Sequence, residues 1–151
     1  MTPDGICDED WDRVHELAVE IVNAGQTEEG DEYRARLFEY LHRLEKKYGP
    51  LPSLLATRAD YVKDARESQE LLERAYHPAV QQGDHLNALY AASSLARLHI
   101  ERLHDVAAGT KWLAALKEAL RCAGDESDIE EYEELAKALE ELRGAASTAD
   151  K

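Results

Sequence analysis

The chain has 151 residues, 44% of them hydrophobic, with 18 basic and 32 acidic side chains and a formal net charge of -14. That length fits one domain able to bury a core without disulfide or metal staples, and the charge weighs against nucleic acid or anionic lipid as a direct ligand. No apolar run approaches the roughly 20 residues that span a bilayer, which excludes a membrane-crossing helix.

The charge is unevenly spread. Residues 1–32 carry eleven acids and one base, residues 124–151 carry ten acids and three bases, and the middle is slightly basic. Two acidic ends thus flank a near-neutral scaffold, either as solubilising surface or as a surface that steers a basic partner. Met1 to Asp12 lack the basic, then apolar, start of a secretory signal. Cys7 and Cys122 form no Cys-x-x-Cys pair and read as free thiols of a reducing compartment. Both features predict a cytoplasmic protein.

Helical periodicity recurs along the chain and alternating β-branched runs do not, so the predicted class is all-α with about seven helices. Helix 1 is expected over residues 8–24, with Trp11, Val14, Leu17, Ala18, Ile21 and Val22 as its apolar stripe. Gly25 through Gly30 should end it. Helix 2 is expected over 31–48, burying Tyr33, Leu37, Phe38, Leu41 and Leu44, and Gly49-Pro50-Leu51-Pro52 stops it. Helix 3 follows over 53–63 with Ser53 as N-cap, and helix 4 over 64–82, bent or interrupted at Pro78 and closed by Gly83 as a left-handed C-cap. Asp84 and Asp105 are the expected caps of helix 5, reaching to about His104, and helix 6, reaching to Ala123. Ser127 and Glu130 have capping-box spacing for helix 7 over 127–143. The reading is therefore one helical-repeat domain over 1–143 and a small, polar, disordered tail over 144–151.

The chain matches itself weakly at a shift of 40 residues, Leu55-Ala56 falling on Leu95-Ala96 and Ala75 on Ala115. In the second copy Leu95, Ala96, His99, Ala108, Trp112 and Ala115 stand at the spacing of the large and small packing positions of a tetratricopeptide repeat, so residues 53–122 resemble that family. The resemblance departs from the pattern at His99, where a tyrosine is usual, at Ser68, where an alanine is usual, and in its longer period. It implies a right-handed stack of antiparallel helical hairpins; the alternative is an irregular helical bundle. The whole-chain texture, an acidic start, then Tyr48-Gly49-Pro50-Leu51-Pro52-Ser53-Leu54-Leu55-Ala56, Gly83-Asp84-His85-Leu86-Asn87 and Ser94-Leu95-Ala96, also resembles the helical-repeat immunity proteins of bacterial polymorphic toxin and contact-dependent inhibition systems. Such proteins cover a toxin's active site or its delivery surface. That implies no catalytic residue and, as partner, the basic C-terminal toxin domain of a large secreted protein.

Motifs that could carry other chemistry are sparse. Glu39-x-x-His42 and Glu101-x-x-His104 have the spacing of di-iron carboxylate bundles, but both lie on faces read as polar. Asp8-x-Asp10-x-Asp12 begins like an EF-hand loop, yet Arg13 and Val19 occupy the positions that need Gly and a bidentate Glu. With no Gly-rich phosphate loop, nucleophile elbow or His-Glu-x-x-His, no cofactor, metal or enzyme activity is expected.

In a stacked array the first helix of each hairpin lines one concave side, so helices 1, 3, 5 and 7 should share a surface. The residues expected to meet a partner there are Asp12 and Glu16 of helix 1, Asp60, Tyr61 and Asp64 of helix 3, and Tyr90, Arg97 and Glu101 of helix 5. Aromatic area beside carboxylates suits a basic protein surface. The expected function is an acidic protein-binding module, foremost an immunity protein against a basic toxin, a nuclease being the case in which acids replace substrate phosphates. The alternatives are an adaptor that binds a peptide and a metal-dependent helical enzyme.

Overall fold

The helical periodicity is realised as seven α-helices in a computed structural model that describes residues 1–149: α1 (Asp8–Ala24), α2 (Glu28–Tyr48), α3 (Pro52–Tyr61), α4 (Ala65–Gln81), α5 (His85–Arg97), α6 (Val106–Ala119) and α7 (Glu126–Ala149). A single π turn, Leu98–Arg102, follows α5, and no strand occurs among the described residues. Short connections make consecutive helices antiparallel, and α1/α2, α3/α4 and α5/α6 pack as hairpins with α7 against α6.

Several boundaries differ from the sequence reading, each for a local reason. α2 starts at Glu28 because the Thr27 hydroxyl accepts the Gly30 N–H at 3.1 Å, and three acids in the first turn complement the helix dipole. Gly30 is therefore inside the helix, and its lack of a side chain is required: a Cβ there would lie 2.3 Å from the Gly25 carbonyl oxygen. α3 starts at Pro52, and Ser53 is not its cap. The cap comes from far away in the chain, since the Asp4 carboxylate accepts the Ser53 N–H at 2.7 Å and its hydroxyl at 2.8 Å. α4 continues through Pro78 to Gln81 without interruption.

Asp64, Asp84 and Asp105 cap α4, α5 and α6 through the backbone N–H groups of Glu67, Asn87 and Ala108. At α7 the reciprocal box is Asp125 with Asp128, each carboxylate accepting the other residue's N–H at 3.2 and 2.8 Å, so the Ser127 and Glu130 pairing is corrected by two residues. α7 also runs past Gly144 to Ala149, where a disordered tail was expected; Asp150 and Lys151 lie outside the described residues.

Two hydrophobic clusters hold the molecule. The larger joins α3 to α7 around Leu72, Leu95, Trp112, Leu116, Leu135 and Leu139. The smaller joins Ile6, α1 and α2 through Val14, Leu17, Leu37 and Leu41, and reaches α3 through the fully buried Leu54 and the partly buried Tyr61. Its neighbour Leu55 points into the larger cluster, so successive residues of α3 serve different cores. At the outer end of the hairpin, the Asp10 carboxylate accepts the Tyr48 hydroxyl at 2.6 Å and the Lys47 ammonium at 2.7 Å. These hydrogen bonds hold its pKa well below the usual carboxylate range. A half-buried ion pair, Arg58 to Glu45 at 3.0 Å, ties α3 to α2.

The π turn accommodates one extra residue and allows Leu98, His99 and Ile100, three in succession, to be buried. His99 is 2% exposed and neither ring nitrogen meets a protein partner among the described residues.

Candidate functional site

The apolar stripe of α1 is wider than its packing partner. Val14, Leu17 and Ile21 are buried against α2, whereas Trp11, His15, Ala18 and Val22 run along an adjacent line that no helix covers. Val22, expected in the core, is 74% exposed. The gap has a simple origin: no Cα of α1 comes within 8 Å of one of α3, so the two helices flank an open space in place of packing ridge into groove.

That space is a cavity of about 520 Å³ between α1, α3 and α5, walled by Trp11, Val14, Ala18, Ala56, Leu86 and Tyr90. Thr2 and Pro3 line it too. A second cavity of about 530 Å³ lies between α3, α5 and α7 and is more polar, with Ser93, Arg97, Arg102, Asp128 and Glu131 in its wall. The two share Asp60, Leu86 and Tyr90, so they form one groove across α1, α3, α5 and α7. α5 is its spine. Leu86, Tyr90, Ser93, Ser94 and Arg97 recur at helical spacing on one face, and Leu86 and Tyr90 remain 56% and 45% exposed there.

Electrostatically the groove is patterned. Arg97 is held by Glu131 at 2.5 Å and by Glu101 at 3.8 Å, and Ser93 donates to Glu131 at 2.7 Å, which fastens α5 to α7. Arg102 donates to the Lys63 carbonyl at 2.9 Å. Asp60 accepts the Tyr90 hydroxyl and has no ion pair among the described residues. Both groups stay solvent-exposed, and partial desolvation by the surrounding helices shifts the Asp60 pKa upward and, with the adjacent carboxylate, that of Tyr90.

Of the eight residues expected at a partner surface, Asp60, Tyr61, Tyr90 and Arg97 line the groove. The other four do not. Asp12 and Glu16 are displaced around α1 from Trp11 and His15, and Glu16 pairs with Arg13 at 3.1 Å. Asp64 is committed to capping α4, and Glu101 sits in the π turn and reaches the groove only through Arg97. Sequence reasoning missed Trp11, Leu86, Asp128 and Glu131. Leu86 was detectable, since it falls on the same face as Tyr90 and Arg97 and not on the alanine-rich face that packs. Trp11 was not, because its spacing also fits the core. The two Glu-x-x-His pairs are not assembled into one site: Glu39 pairs with Arg43, and no cluster of three His, Cys, Asp or Glu side chains suited to a metal occurs among the described residues.

Fold and site together define a class, an all-helical stack of hairpins that presents one continuous lined face. Comparison with protein-family models, with curated proteins and with solved structures gives no match, so a more particular reading rests on the chemistry of this chain.

Proposed function

We propose that this protein is an acidic binding module that receives a basic protein in the groove of α1, α3, α5 and α7, and that it acts as an immunity protein against a toxin domain. The observation that carries the binding reading is the placing of exposed Leu86 and Tyr90 beside the Asp60 carboxylate, which has no ion pair among the described residues, in a groove lined by further acids. An exposed aromatic in a concavity is a common anchor of affinity. The net charge of -14 would accelerate encounter with a cationic partner. The helical stack and the tetratricopeptide-like spacing of its second hairpin support a scaffold role over a catalytic one.

The test is co-expression with the C-terminal domain of a large secreted protein encoded beside it. The reading requires that the two co-purify and that the domain's toxicity is abolished. If the domain remains toxic and unbound, the immunity reading is wrong. A second reading, an adaptor that takes an extended peptide, is favoured by the continuity of the groove along successive first helices. It predicts that a selected peptide library yields ligands while no toxic neighbour exists.

A further inference from the structure

We propose that Asp60 is the receptor for one cationic side chain of the partner, and that the residue beside that cation is apolar and enters the cavity between α1, α3 and α5. This rests on the binding reading above and adds the composition of what is bound.

The geometry argues for a cation at this point in the groove and not merely for an acidic surface. Asp60 is solvent-exposed, as are most acids of α1, α2 and α7, but it alone among the carboxylates stands in the wall common to both cavities. The two arginines that line the same cavity are already engaged, Arg97 by Glu131 and Glu101, and Arg102 by the Lys63 carbonyl. No ammonium or guanidinium lies within 4 Å of the Asp60 carboxylate among the described residues. Its protein partner is the Tyr90 hydroxyl, a neutral donor that orients the carboxylate and leaves its charge uncompensated. An oriented, accessible carboxylate with no counter-charge can take an incoming cation without first breaking an ion pair of its own.

The neighbouring chemistry specifies the flanking residue. On the α1 side of Asp60 the wall changes to Trp11, Val14, Ala18, Ala56 and Leu86, with Tyr61 and Tyr90 beside them. Such a wall gains by covering an aliphatic or aromatic side chain. On the other side of Asp60 stand Asp128, engaged in the α7 capping box, and Glu131, paired with Arg97, which leaves Asp60 as the receptor for the cation. The recognised unit is therefore an apolar residue adjacent to Arg or Lys, in that spatial order from α1 towards α7.

Three synthetic peptides would test this: acetyl-Gly-Leu-Arg-Gly-amide, the same peptide with citrulline for Arg, and the same with Ser for Leu. Each would be titrated against the full-length, nitrogen-15-labelled chain with amide shifts recorded. Expected are saturable shifts centred on Asp60, Tyr90, Leu86 and Trp11 for the first peptide, weakened about tenfold or more by citrulline and by Asp60→Asn but not by Glu16→Gln. Unchanged affinity in Asp60→Asn, with shifts spread over the acids of α1 and α7, would overturn the site and leave a diffuse basic-binding surface standing. Absence of saturable binding by all three peptides, with co-purification of the toxin domain unaffected by Asp60→Asn, would overturn the site as well. Loss of that co-purification in Asp60→Asn at an unchanged unfolding midpoint would support it.

Discussion

Leu54 and Leu55 are adjacent in sequence, almost equally buried, and face different cores, so truncating each in turn should separate the two halves of the molecule. Leu54→Ala removes three carbon atoms from the only fully buried α3 side chain in the smaller cluster; at about 0.8 kcal/mol per carbon the transfer loss is about 2.5 kcal/mol. The unfilled space raises the cost to about 3–5 kcal/mol. With an m-value of about 2 kcal/mol/M in urea, a loss of about 3 kcal/mol lowers the midpoint by about 1.5 M. The molecule carries its own probes, since Trp11 packs on the smaller cluster and Trp112 is buried in the larger. Fluorescence in Trp11→Phe and Trp112→Phe backgrounds reads each half alone. Leu54→Ala should lower the Trp11 transition and leave the Trp112 transition in place. Leu55→Ala should lower both, because α3 is the platform on which the first hairpin is docked. Equal displacement of both transitions by Leu54→Ala would refute the argument, for it would mean that the two clusters melt as one cooperative unit.

Three further outcomes are expected. Burial lowers the His99 pKa, so below the ordinary imidazole value of about 6.5 the unfolded chain binds a proton that the folded one resists. Stability should therefore be full above that pH and fall as the pH drops through it, a slope that His99→Phe flattens in urea midpoints taken at pH 7.5 and 5.5. Asp125→Ala should cost about 1 kcal/mol in thermal or urea unfolding through loss of the α7 cap, whereas Ser127→Ala should change little. Because Tyr90 and Leu86 are each about half exposed, replacing either with Ala should cost only about 1 kcal/mol of stability, yet lower affinity for a captured partner by tenfold or more in calorimetric titration.

Much of the helical order was legible because it is written in local signals. Asp84 and Asp105 cap the helices they were expected to cap, and Gly49-Pro50 ends α2 where backbone chemistry demands. α1 spans the predicted residues 8–24. What was not legible depends on distant chain. Ser53 looked like a cap because nothing local reveals that Asp4, 49 residues earlier, supplies the acceptor. Gly30 looked like a breaker because its necessity comes from the Gly25 carbonyl passing beside it. The groove was half legible for the same reason. Periodicity shows that α1 has a broad apolar face, but only tertiary placement shows that α2 covers one side of it and leaves Trp11 to the open space. Asp12 and Glu16 were chosen by charge, and charge alone does not indicate direction around a helix.

The separation between α1 and α3 makes the aperture of the groove a property of a seam that lies largely outside it. The spacing is fixed by Leu54 beneath, by Ile6, and by the Asp4 bridge to the start of α3. Exchanges at those few positions would widen or narrow the opening while most of its lining kept its chemistry. A lineage could thus retune which side chains fit by adjusting a joint, with Asp60, Leu86 and Tyr90 held constant.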